Sequence, residues 1–141
     1  MRAPQRHLPV GALLAVAVLI AMSAVSASAS SPLKITNCNA AVSRPKLLTL
    51  SCGDGNTVLK GLSWSSFGGS TARAKGTFVM NTCEPNCAAG TDVSFKVKIK
   101  ATNPRTCKRG VRVYNRVTLQ FIGHAPSKRN DFTRWTLGCP I

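Results

Sequence analysis

The chain of 141 residues carries 19 lysines and arginines against 4 aspartates and glutamates, a formal net charge of +15, with 44% hydrophobic residues and 6 cysteines. That length suits one domain rather than several, and so few carboxylates leave little material for acid–base catalysis. An excess of positive charge on a small domain points to anionic partners: wall polymers, phospholipid head groups, nucleic acid or acidic proteins.

Residues 1–29 divide into a basic start (Arg2, Arg6), an apolar run from Leu13 to Met22, and a small-residue stretch ending Ala27-Ser28-Ala29. This is the pattern of a secretory signal peptide, with cleavage expected after Ala29 or, as second choice, after Ala27. An apolar run of about ten residues falls short of the ~20 that an anchor helix needs. No cysteine follows the run to take a lipid, and the arginines are not paired as in a twin-arginine leader. One secreted domain is therefore expected over residues 30–141. Two cations leave with the leader, so 17 stand against Asp54, Glu84, Asp92 and Asp131, a net charge of +13.

Strands are expected at Leu47 to Ser51, Thr57 to Ser65, Ala72 to Met80, Val93 to Lys100, Val111 to Ile122 and Arg134 to Cys139. The clearest is the fourth: Phe95, Val97 and Ile99 alternate with Lys96, Lys98 and Lys100, the period-two pattern of a half-buried strand. Turn residues separate the strands, at Gly53-Asp54-Gly55-Asn56, Gly68-Gly69-Ser70, Pro85 to Gly90, Asn103-Pro104 and Ala125-Pro126-Ser127. Short strands at this spacing predict an all-β domain, a small antiparallel β-sandwich or barrel of about six strands.

All six cysteines (Cys38, Cys52, Cys83, Cys87, Cys107 and Cys139) lie beyond the leader, and an even number in an exported chain reads as a disulfide framework. Six cysteines allow 15 pairings. The expected set joins Cys38 to Cys52, Cys83 to Cys87 and Cys107 to Cys139, the middle pair being favoured by the intervening turn Glu84-Pro85-Asn86. An oxidised Cys83-x-x-x-Cys87 leaves no thiolate pair for zinc, and Gly53 to Asn56 lacks the further acids of a calcium loop. No metal and no cofactor are expected.

The only histidine after residue 29, His124 between Gly123 and Ala125, suits a turn at a strand end. A ribonuclease-like hydrolase would have to combine it with Glu84 and an arginine, and Glu84 sits inside the Cys83–Cys87 turn. Three basic clusters stand out: Lys96, Lys98 and Lys100; Arg105, Lys108, Arg109, Arg112 and Arg116 around Cys107; and Lys128-Arg129 with Arg134. Strand rise places the three lysines about 7 Å apart on one face, and a hairpin of the fourth and fifth strands would put the first two clusters in one sheet. The alternative is three separate solvated patches, whose lysines also discourage pairing between molecules. Only Tyr114, Phe132 and Trp135 could stack on bases beside these clusters, and Trp135 equally suits a core, so no specific nucleic-acid recognition is expected.

The segments Ser51-Cys-Gly-Asp-Gly-Asn56, Leu62-Ser-Trp-Ser-Ser-Phe67, Ala72 with Gly76, and Asn81-Thr-Cys-Glu-Pro-Asn-Cys-Ala-Ala-Gly90 resemble a group of small secreted actinobacterial proteins. The similarity covers about 40 residues, from 51 to 90, and departs at Phe67, where the group commonly has a second tryptophan. It implies export and an all-β domain, and it carries no catalytic role. Trp64, Gly76 and Pro85 are the kind of recurring residues that build turns and core.

The expected function is that of a monomeric, non-enzymatic extracellular module. It would bind an anionic cell-envelope polymer or phospholipid surface through Lys96, Lys98, Lys100, Arg105, Lys108, Arg109, Arg112 and Arg116. The alternatives are a small secreted hydrolase, or a protease inhibitor or other effector that presents a loop such as 83–90, whose disulfide brace would limit the entropy lost on binding.

Overall fold

The computed structural model describes residues 31–127 and 131–141, and the proposed leader at 1–29 lies outside them. Among the described residues eight strands run in the order β1 (Leu33–Asn37), β2 (Ala40–Val42), β3 (Leu47–Thr49), β4 (Thr57–Ser66), β5 (Ala72–Asn81), β6 (Asp92–Thr106), β7 (Arg112–Phe121) and β8 (Arg134–Thr136). They form one sheet ordered β2-β1-β7-β6-β5-β4-β3, with β8 paired to β7, curled into an open half-barrel. The all-β expectation holds, and of the two forms expected the described residues take the barrel, left open. One correction is that the sheet is mixed, because β1 lies parallel to β7 with Leu33, Lys34 and Ile35 opposite Arg112, Val113 and Tyr114.

The two strands missing from the expected six are β1 and β2. Each is short, and β1 finds its main partner about eighty residues away in a parallel pairing that leaves no local hairpin signal. A further difference concerns β6. The Asn103-Pro104 pair, expected as a turn, sits inside the strand, and pairing with β7 resumes at Pro104 opposite Tyr114. Asn103 takes a positive φ of 56°, and its amide donates to Asn115 Oδ1 across the ladder at 3.1 Å. Alternation changes phase at this joint: Val117 and Tyr114, three residues apart on β7, both enter the core.

Alternating side chains from β4, β5, β6 and β7 fill the half-barrel, with Leu59, Leu62, Phe78, Val97, Tyr114 and Val117 fully buried. Phe78 packs edge-on against Phe121, and Trp64, Phe67 and Tyr114 form a chain of T-shaped contacts at 4.9 and 5.5 Å. The buried Tyr114 hydroxyl donates to Gly69 O at 2.7 Å and accepts from Gly68 N–H at 2.9 Å, so it ties the β4–β5 loop to the core. Gly76 is required where β4 and β5 touch. A Cβ there would meet Leu62 Cδ2 at 2.7 Å and the Lys60 carbonyl at 2.9 Å.

Disulfides join Cys38 to Cys52, Cys83 to Cys87 and Cys107 to Cys139, the expected pairing. The first lies beside the seam between the two ends of the curled sheet. There the Asn37 side chain spans from β1 to β3: its amide donates to Leu47 O at 3.3 Å, and its carbonyl accepts from Thr49 N–H at 2.9 Å. Among the described residues no helix is long and apolar enough to cross a membrane.

A candidate anion-binding face

The phase of β6 sends Val97, Ile99 and Ala101 inward and leaves Lys96, Lys98 and Lys100 exposed. Its neighbour β5 repeats the pattern with smaller residues: Ala72 and Ala74 are buried, while Arg73 and Lys75 are exposed. The antiparallel register sets Arg73 opposite Lys100 and Lys75 opposite Lys98. Side chains directly opposite in such a ladder have Cβ atoms about 5 Å apart, and like charges there oppose folding. Two such pairs stand side by side at the centre of the sheet.

The same outer face continues on both sides. Lys60 and Lys96 flank Thr77 from either side, and Ser63 lies opposite Lys75. Gln120 and Thr118 lie opposite Lys98 and Lys100, and Arg134 lies opposite Thr118. Arg116 sits one step further, opposite Thr102 and Thr136. Four cross-strand rungs result, each with at least one cation and one hydroxyl or amide. At its centre is a shallow depression of about 340 Å³ lined by Ser65, Arg73, Lys75, Lys98, Lys100 and Gln120, among others.

The carboxylates lie elsewhere. Asp54 is in the β3–β4 turn, where the Asn56 backbone N–H and then the Ser51 side chain hold its pKa below the usual value. Glu84 is in the Cys83–Cys87 loop, and Asp92 opens β6 opposite Asn81. Asp131 alone approaches the face, at its rim. Its carboxyl accepts from the hydroxyl and backbone N–H of Thr133, and these bonds, helped by the nearby Arg134 charge, lower its pKa.

The aromatic residues of the strands turn to the core side. Phe95 pairs with the buried Phe78, Phe121 with Val97, Trp135 with Val117 and Trp64 with Ala74. Of the three rings considered for base stacking, Tyr114 is fully buried, while Phe132 and Trp135 pack against the core and Trp135 Nε1 donates to Phe132 O at 2.9 Å. Ser, Thr and Gln separate the cations instead.

Of the eight residues proposed from sequence for anion binding, the structure gathers Lys96, Lys98, Lys100 and Arg116 on this face. Arg105, Lys108, Arg109 and Arg112 lie past the Asn103 joint, at the β6–β7 turn beside Cys107–Cys139. Arg105, Lys108 and Arg109 border a separate depression of about 700 Å³ with Ile141, and the Arg112 guanidinium donates to Ser31 O at 3.3 Å. Sequence reading missed Lys60, Arg73 and Lys75. The signal for the last two was present in Ala72-Arg-Ala-Lys75, where cations alternate with small apolar residues. Lys128 and Arg129 of the third cluster lie outside the described residues, so only Arg134 of that group is placed.

His124 is exposed in the segment after β7. Among the described residues no three His, Cys, Asp or Glu side chains gather as for a metal ion, and no cysteine is free. The residues of the 81–90 motif serve the loop's own geometry. Asn81 Oδ1 accepts from Cys83 N–H at 2.8 Å, and a Cβ on Gly90 would strike Asn81 Oδ1 and come within 2.7 Å of Cys83 N. No family model, curated protein or solved structure matches the chain, so the reading of the face rests on its own chemistry.

Proposed function

We propose that this protein is an exported, non-enzymatic module that holds an anionic cell-envelope polymer on the outer face of its sheet. The observation that carries the reading is the pair of like-charged rungs, Arg73 opposite Lys100 and Lys75 opposite Lys98. Such pairs work against folding in the free protein, and an anion seated between them turns the repulsion into attraction. Export is supported by the leader pattern of residues 1–29, by the similarity to small secreted actinobacterial proteins, and by three disulfides of a kind that persist in oxidising compartments.

The test is retention on purified cell-wall fragments. Binding at low ionic strength should fall steeply as salt approaches 0.5 M, where screening shortens the reach of each charge to a few ångströms. Lys75→Gln with Lys98→Gln should weaken retention at least tenfold, and Lys46→Gln, which removes one charge from the β2–β3 connection, should leave it unchanged. Retention that ignores both salt and the double substitution would sink the proposal.

A further inference from the structure

We infer that the ligand of this face is a linear polyol phosphate, an acyclic chain of phosphodiesters joined by short hydroxylated carbon units. The inference rests on the proposed anion-binding role and narrows its ligand. Three observations carry it. First, among the described residues the face offers no ring on which a flat unit could stack, because the strand aromatics point to the core. Nucleobases on single strands gain much of their affinity from such stacking, and sugar rings commonly use the same platforms. A polymer without rings loses nothing here.

Second, the rungs repeat every two residues, about 7 Å apart, which is the advance of six backbone bonds of an extended chain. A phosphodiester chain through a three-carbon polyol also has six backbone bonds from one phosphorus to the next. Its charges therefore advance by nearly the same step as the rungs. Third, each rung pairs cations with neutral hydrogen-bonding groups, as in Ser63, Lys75, Lys98 and Gln120. Opposed Lys75 and Lys98 can each donate to one of the two free oxygens of a phosphodiester, while Ser63 and Gln120 at either side meet the polyol hydroxyls.

The experiment is direct binding of the exported protein to poly(glycerol phosphate) of defined length. The comparison ligands are oligodeoxythymidylate, polygalacturonate and phosphatidylglycerol vesicles, all at equal charge concentration. The glycerol phosphate chain should bind tightest, with affinity rising to about four phosphates, one per rung, and then levelling off. Counterion release from four phosphates on a single strand sets a slope of at most about −2.8 in log K against log salt, or up to about 50-fold loss between 50 and 200 mM. Lys75→Gln with Lys98→Gln should cost at least tenfold, and Lys46→Gln nothing.

Tighter binding to oligodeoxythymidylate would assign the face to nucleic acid and overturn the inference. Equal or tighter binding to polygalacturonate or vesicles would overturn it in favour of a surface that reads charge alone. If wall fragments retain the protein and poly(glycerol phosphate) fails to compete, the inference fails while the envelope-binding role stands. If neither ligand is retained, both fail.

Discussion

Replacing Lys98 by glutamate separates what the outer face does for folding from what it does for binding. Lys98 stands directly opposite Lys75, with Lys96 and Lys100 next along its own strand face. Charges as close as the Cβ atoms, about 5 Å apart, would make one like-charge pair in water unfavourable by about 0.8 kcal/mol, an upper limit for two exposed stems that can swing apart. Reversing one sign shifts the balance by twice that, and screening at physiological salt, with a Debye length of about 8 Å, leaves about 0.9 kcal/mol. Lys98→Glu should therefore stabilise the fold, raising the melting temperature by about 4 °C for a domain of this size. In 1 M salt the Debye length falls to about 3 Å, and the gain should shrink to about 0.3 kcal/mol. The same variant should lose affinity for wall fragments. Thermal melts followed by far-ultraviolet circular dichroism at both salt concentrations, with retention measured in parallel, give the answer. A melting temperature that does not rise at low salt, or a gain that persists undiminished at 1 M, would show that the opposed lysines are not in conflict and remove the main argument for the site.

Gly76→Ala should lower the denaturation midpoint by the equivalent of about 1–3 kcal/mol, since its methyl group would press on the Lys60 carbonyl, which cannot move without breaking the β4–β5 ladder. Tyr114→Phe removes the partner of both Gly68 N–H and Gly69 O, which water can reach, and should cost about 1 kcal/mol in urea unfolding, with faster amide exchange confined to the 67–70 loop. Asp54 and Asp131 have pKa values lowered in the folded state. Their contribution to stability is fully present above the unfolded value near 3.9 and is lost as pH falls through the lower folded values. Asp54→Asn with Asp131→Asn should flatten the decline in melting temperature below about pH 4, and an unchanged acid limb would refute the assignment.

The cationic row on β6 was legible because it obeys a local rule: period-two alternation fixes which residues share a face before any partner is known. The rungs were not legible. That Lys75 meets Lys98 depends on the register between two strands, which neither segment encodes alone. The same gap explains why Arg105 and Lys108 were grouped with Arg116. The three are close in sequence, but the hairpin register sets Arg116 opposite Thr102, on the other side of the Asn103 joint from Arg105, and an asparagine before proline reads as a turn whether it ends a strand or twists one. For Cys83 and Cys87 close spacing across turn residues suffices, because a short loop limits where its ends can go. The parallel partnership of β1 with β7 left no such trace.

The Asn37 seam bears on how the protein behaves in a crowd. A sheet that stops short of closing exposes a row of unpaired peptide groups, and neighbouring copies held close together on a polymer would be well placed to add strands there. In this molecule one amide side chain occupies Leu47 O and Thr49 N–H, acceptor and donor on strand β3 that an incoming strand would need, and Cys38–Cys52 anchors the flanking chain next to them. If copies are crowded on a polymer as proposed, this edge of β3 is closed to an incoming strand.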